Sequence, residues 1–222
     1  MPRIFAVYKP KGLTSNAVLN RLRRAAGTKK IGHAGTLDPL AEGVLVVGVG
    51  KEATKQLAHE VAKEKEYVAD ILLGATSITD DAEGEKTERT GYEIPSEESI
   101  QNALRQFVGI ITQTPPLYSA VKVKGQEAYK RARKGEAIEL EPRNVEVKSI
   151  VIETYQWPHL TIHVVCGPGT YIRAIARDVG GMLGTGGYLT GLVRTRVGQW
   201  RAEDALSLAE AEERCVEWKH SN

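Results

Sequence analysis

The chain is predicted to fold as a single α+β domain, residues 1–222, with a central mixed, mostly antiparallel β-sheet flanked by helices and loops. Three observations lead there. Short apolar runs alternate with amphipathic segments, but without the regular strand–helix–strand beat of a doubly wound sheet. No internal repeat or low-complexity linker divides the chain. Hydrophobic residues make up 41% and charged residues 26% of the 222 positions, the balance of a globular protein large enough for one extended sheet.

IFAVYKP (4–10) is a short apolar run closed by Lys-Pro-Lys-Gly, a strand entering a turn. Ser15 is the expected N-cap of the next helix. Val18, Leu19 and Leu22 share one face of it, and Gly27 ends it. GHAGTLDPLAEG is expected to be loop. VLVVGVG (44–50) is continuously apolar and reads as a strand buried on both faces, followed by a helix over roughly 52–63. EYVADILLG (66–74) is a strand, and the acidic TDDAEGE after it reads as a surface turn. Ser96 caps a helix whose apolar residues Ile100, Leu104, Phe107 and Val108 follow the helical period. Glu97 and Glu98 suit its positive end. Pro115 and Pro116 force an extended path into a short strand. QEAYKRARKGE is a basic helix or loop ending at Gly135. VEVKSIVIET and LTIHVVCG alternate as strands. Thr170 is the expected cap of the helix in TYIRAIARDVGGML. GLVRTRVGQW is a strand, and ALSLAEAEERCVEW a closing helix.

The net charge is only +2, so its distribution carries more than its sum. Basic residues bunch at 21–30, at 122–134 and at 173–201, while acidic residues gather elsewhere. That segregation permits a basic face on a nearly neutral protein. No run of about 18 apolar residues is present to cross a membrane. The N-terminus has no signal-peptide pattern. Cys166 and Cys215 form neither a CxxC pair nor a zinc pattern, so the expectation is a cytoplasmic, metal-free protein.

GVGKEAT (48–54) lacks the first glycine of a P-loop and its closing Ser or Thr. The glycines of GGMLGTGG follow a helix instead of opening one, so they do not form a dinucleotide fingerprint. HAGTLD has no zinc spacing, and no serine sits in a GxSxG elbow. Asp38, in GHAGTLDP, remains. An Asp-Pro pair commonly starts a turn. Here, though, Gly32 and Gly35 allow close approach of backbone, and the apolar strand that follows would anchor the loop on a rigid sheet.

KIGHAGTLDPLAEGVLVVGVGKEATK (30–55) resembles the signature of the TruB family of tRNA pseudouridine synthases. KPKGLTS, KEYVADILLGATSITDDAEGE, QTPPLYSAVKVKGQEAYKRARKGE, GTYIRAIARDVG and LTGLVRTRVGQW resemble further family motifs in the same order, from about residue 4 to 208. The resemblance implies a pseudouridine synthase catalytic domain that isomerises uridine 55 in the T-loop of elongator tRNAs and needs no cofactor. Asp38 matches the catalytic aspartate. It either attacks C1′ of the ribose or removes a ribose proton to form a glycal. Arg173 matches the arginine that pairs with it. Tyr67 matches the tyrosine that stacks on the target base, Tyr171 a second pocket tyrosine, and Leu192 an apolar residue of the pocket wall. Lys9 and Pro10 match a motif under the pocket, and His33 a histidine that holds the T-loop with the base flipped out.

A basic insertion of about 115–145, with Lys122, Lys124, Lys130, Arg131 and Arg133, matches a loop that closes over the RNA backbone. The expected partner is the tRNA T-stem-loop, bound by a monomer without guide RNA or obligate protein partner. Two departures stand out. Ala34 occupies a position that is often threonine in the family's GHTG. Only about fourteen residues follow Leu208, too few for the C-terminal PUA domain of many relatives, so a bacterial-type enzyme lacking it is expected. A non-catalytic RNA-binding or tRNA-folding module, or a synthase for a different RNA, are the alternatives.

Overall fold

The computed structural model describes residues 3–123 and 125–220. Residue contacts divide the chain into two compact units. One runs to Val68 and resumes at Leu192; the other is the continuous segment Ala69–Gly191.

The first unit opens with β1 (Arg3–Lys9) and α1 (Ser15–Ala26), then β2 (Ile31–His33), β3 (Ala41–Val49), α2 (Lys51–Val61) and the start of β4 (Lys65–Leu73). GHAGTLDPLAEG is therefore not all loop: Gly32 and His33 belong to β2, and β3 already begins at Ala41. β1 and β2 both pair antiparallel with β3. Nearly every residue of β3 is buried, as its continuous apolar run requires. Side chains alternate between its faces. Leu45, Val47 and Val49 join Phe5, Val7, Leu19 and Leu22 in one core cluster. Val44 and Val46 join Ala6, Ala34 and Leu57 in another. The cap of α1 is Thr14, not Ser15: the Thr14 side chain accepts from the Ala17 amide, and Gly27 ends the helix at φ 64°. Ser15 is one residue inside and faces the protein.

The second unit takes the rest of β4 and continues through β5 (Ala75–Ser77), β6 (Lys86–Glu88), α3 (Glu97–Arg105), β7 (Gly109–Gln113), β8 (Lys122–Val123), β9 (Gln126–Glu127), α4 (Ala128–Ala132), β10 (Arg143–Gln156), β11 (His159–Cys166), α5 (Ile172–Met182) and the start of β12 (Gly187–Val197). Its main strands run in the order β4-β11-β10-β7, with β10 antiparallel to both neighbours whose register is set, β11 and β7. Ser96 caps α3 by accepting from the Ser99 amide, as expected. Phe107 and Val108 lie beyond the end of α3. α5 starts later than the sequence suggests, its cap position being Tyr171 and not Thr170. The acidic stretch TDDAEGE is not a surface turn throughout, because Asp81 is only 2% exposed.

The chain then returns to the first unit with the end of β12, β13 (Trp200–Arg201) and α6 (Leu208–His220). In this unit β12 runs parallel to β3, Leu192 facing Ala41 and Arg194 facing Gly43. This parallel pair among antiparallel ones makes the sheet mixed, as the fold class predicts. Leu208, Ala211 and Cys215 of α6 complete the core under β1 and β3.

At Gly43 these two strands approach each other closely. Its φ is 102°, and a Cβ built there would lie 2.3 Å from the Arg194 carbonyl oxygen. Only glycine fits both the dihedral and the gap. Gly43→Ala is expected to destabilise the protein by about 3–4 kcal/mol, combining left-handed strain with a backbone clash. The midpoint of urea unfolding measures it.

Candidate active site

The residues singled out by the sequence fall in both units. Lys9, Pro10, His33, Asp38, Tyr67 and Leu192 lie in the first; Lys122, Lys130, Arg131, Arg133, Tyr171 and Arg173 lie in the second. Lys124 lies outside the described residues.

Asp38 sits on the turn between β2 and β3 and is half-buried. An irregular loop cannot satisfy its own backbone groups, so the protein must do it. The Ser15 hydroxyl does so for the residue before the aspartate. Ser15 Oγ accepts from the Leu37 amide at 2.8 Å and donates to the Leu37 carbonyl at 2.9 Å. Ser15 is 2% exposed and Leu37 3%, so neither group has water to fall back on. On the other side of the aspartate, the Gly12 amide donates to the Pro39 carbonyl at 2.8 Å. The Asp38 carbonyl itself accepts from the Ala41 amide at 3.1 Å, and Ala41 is the β3 residue paired with Leu192. Leu192 is thereby placed beside the turn.

Lys9 is fully buried, and its ammonium donates to the carbonyls of Pro10 and Leu13. It closes the turn from β1 into α1, the same turn whose Gly12 holds Pro39. Lys9 and Pro10 thus support the Asp38 loop from behind. Arg194, 1% exposed, braces that loop from the other direction: Nε donates to the Val44 carbonyl at 2.7 Å and Nη2 to the Gly35 carbonyl at 3.1 Å. Ala34 is fully buried among Ala6, Val44, Val46 and Leu57, an apolar pocket that suits its methyl group. Tyr67, on β4, is 7% exposed.

Burial pushes the His33 imidazole below its ordinary value of 6.5; the Arg194 charge adds to the fall, and the Gly35 backbone opposes it. His33 is therefore neutral at pH 7 and fits hydrogen bonding better than ionic attraction.

In the second unit, Arg173 is 5% exposed and forms a buried ion pair with Asp81, Nη1 to Oδ2 at 3.3 Å. The same guanidinium donates to the Thr79 and Tyr118 carbonyls, each at 3.0 Å. The other Asp81 oxygen accepts from the Thr79 hydroxyl and the Glu83 amide. Arg173 is thus fixed by the acidic turn on one side and the PPLYS segment on the other. Next along the turn, Asp80 has φ 60° and pairs with Arg177 at 2.8 Å. Burial nevertheless raises its carboxyl pKa, against the pull of Arg177. Tyr171 precedes α5 with the Arg143 guanidinium 4.9 Å from its ring centre. In the basic insertion, Lys122 is exposed, Lys130 pairs with Glu127 at 2.9 Å and Arg131 with Glu136 at 2.6 Å. The Arg133 guanidinium lies 5.7 Å from the Tyr129 ring centre. Exposed pairs of this kind are worth little on their own and exchange readily for phosphate. Among the described residues, no group of His, Cys, Asp and Glu is arranged to hold a metal ion, and no helix is long and apolar enough to cross a membrane.

Residues 23–172 match the family described as TruB family pseudouridylate synthase (N terminal domain). The chain belongs to the TruB family. It is 48% identical over 215 residues to the tRNA pseudouridine synthase B of Thermobifida fusca (strain YX), covering 93% of this chain and 73% of the relative. It is 47% identical over 206 residues to that of Phocaeicola vulgatus, covering 90% and 87%. Among solved structures it is similar to a chain in the crystal structure of a Cbf5-Nop10-Gar1 complex, with TM-score 0.73 and 29% identity over 98% of this chain and 56% of that one. As a TruB family member, the chain has a pseudouridine synthase fold, in agreement with the α+β expectation.

The supporting roles of three residues of this TruB chain escaped the sequence reading: Ser15, Asp81 and Arg194. For Arg194 a signal was present, since it shares the buried parity of β12 with Leu192. An arginine on the inward face of a strand needs buried acceptors. Asp81 looks like any turn acid until the arginine against it is seen.

Ser15→Ala would leave the buried amide and carbonyl of Leu37 unpaired. A loss of about 1–3 kcal/mol is expected, read from urea unfolding. His33 should titrate below 6.5, the ordinary value. A lowered imidazole value means the unfolded chain takes up its proton first. Stability is therefore complete above 6.5 and falls as the pH drops through it toward the folded-state value. NMR of the ring protons gives the midpoint, and His33→Gln should flatten this part of the stability–pH curve.

Proposed function

We propose that the chain isomerises uridine to pseudouridine in tRNA, at position 55 of the T-loop, with Asp38 as the catalytic carboxylate. The observation that carries this reading is the treatment of one loop in a TruB family chain. Leu37, Asp38 and Pro39 each have a backbone group tied down, by Ser15, Ala41 and Gly12. A solvated turn acid needs no such support, whereas a carboxylate that must meet one carbon atom does.

The reaction breaks the bond from N1 of uracil to C1′ of ribose, turns the base, and joins C5 to C1′. An ionised Asp38 either attacks C1′ or removes a ribose proton to give a glycal. By the family resemblance, Arg173 is the arginine assigned to this reaction, and in the second unit its guanidinium is held in place by Asp81 and by the Thr79 and Tyr118 carbonyls. Tyr67 stacks on the base and is the candidate to take the C5 proton; a base stacked on an aromatic ring is worth about 1–3 kcal/mol. Leu192 adds an apolar wall. Exposing the uridine costs a few kcal/mol, met by contacts from His33 and from the basic residues Lys122, Lys130, Arg131 and Arg133. The reading is of a cytoplasmic enzyme that acts as a monomer on tRNA, without cofactor or guide RNA.

Release of tritium from tRNA labelled at C5 of uridine tests it. The wild-type protein should release label, and Asp38→Asn should slow release more than about 10³-fold while still binding tRNA. Binding without release by the wild type would identify an RNA-binding module instead. Release from an RNA other than tRNA would move the target.

A further inference from the structure

The last residue of β7 and the first of β10 are partners across their antiparallel ladder: Gln113 faces Arg143. Both side chains reach the same short segment, the approach to α5. The Gln113 carboxamide, 1% exposed, meets the backbone of Tyr171 twice. Its Oε1 accepts from the Tyr171 amide at 2.8 Å, and its Nε2 donates to the Tyr171 carbonyl at 3.0 Å. Arg143 Nη2 donates to the Gly169 carbonyl at 2.6 Å, and the guanidinium stands 4.9 Å from the centre of the Tyr171 ring. α5 has no side-chain cap of its own at Tyr171. The position of this tyrosine is set from outside its helix, by two residues that both lie more than 25 positions earlier in the chain.

From this geometry we infer that Gln113 and Arg143 are positioning residues that preset the Tyr171 ring for the target base. The inference rests on the proposed function, since it matters only if Tyr171 lines the pocket. Gln113 fixes the two peptide groups on either side of the Tyr171 Cα, from which the ring projects, and Arg143 restricts the ring from its face. The chemistry requires these residue types. Among side chains of this length, only an amide can accept from an N–H and donate to a C=O at once. Glutamate has the same shape, but its second oxygen would face the Tyr171 carbonyl and repel it. Once protonated, it can donate again. Lysine keeps the charge of Arg143 but loses the planar group that stacks and reaches the carbonyl together.

The experiment measures single-turnover tritium release and tRNA affinity for the wild type, Gln113→Glu, Arg143→Lys, Tyr171→Ala and the Gln113→Glu/Tyr171→Ala double variant, between pH 6 and pH 8.5. For Gln113→Glu, the rate should fall about 10- to 100-fold at the alkaline end, as for a misplaced binding group. Affinity should change less than about 3-fold. The deficit should shrink as the pH falls and the buried carboxyl protonates. Arg143→Lys should lose about 10-fold in rate at every pH. Adding Gln113→Glu to Tyr171→Ala should cost little more, because the ring it positions is gone. A pH-independent deficit, or full additivity in the double variant, would overturn the inference. So would an unaltered rate in Gln113→Glu or Arg143→Lys. If Gln113→Glu does not fold, Arg143→Lys and its combination with Tyr171→Ala decide by the same additivity. An inactive wild type would instead overturn the proposed function, which keeps the two failures apart.

Discussion

A catalytic acid on an irregular loop poses a backbone problem before it poses a chemical one. The residues around Asp38 belong to no ladder and no helix, so their amides and carbonyls must find partners elsewhere or stay exposed and mobile. Here one buried hydroxyl, from Ser15, takes both groups of Leu37. Because Ser15 is held in α1, the position of the loop becomes a property of the helix. Lys9 shapes the turn that starts this helix, and Gly12 in that turn holds Pro39. The first strand, the first helix and the acid-bearing loop form one connected piece.

Buried cations recur in this architecture. Lys9, Lys65 and Arg194 are each under 7% exposed in the first unit, and each donates to backbone carbonyls. Arg173 is similarly buried in the second, against Asp81. Sinking a charge is costly unless its hydrogen bonds are made. Carbonyl acceptors supply hydrogen bonds to Lys9, Lys65 and Arg194. The His33 value is lowered first by its burial, with the Arg194 charge adding to the fall.

Most of the fold was legible in the sequence because its signals are local. The unbroken apolar run of β3, the alternation of β10 and β11, and the glycine that ends α1 each depend on neighbours a few residues away. The misreadings were at edges decided by distant groups. Ser15 has the chemistry of a cap, but Leu37, far along the chain, claims it, and Thr14 caps instead. Thr170 gave way at the start of α5 because Gln113 supplies the hydrogen bonds there. Asp81 passed for a surface residue because burial by an arginine 92 positions away leaves no local trace. Asp38 itself stood out through the motif around it, while its supporting residues became visible only once the chain was folded.

The division of the chain has a consequence for its synthesis. The second unit is continuous, Ala69–Gly191, but the first is assembled from both ends. Leu208, Ala211 and Cys215 fill the core against β1, α1 and β3. On the ribosome, β1 and β3 must wait until residues 208–215 have emerged before this core is closed. The interior segment can finish first, so order of translation and order of folding run opposite ways. The loop that carries Asp38 is made early and becomes rigid late.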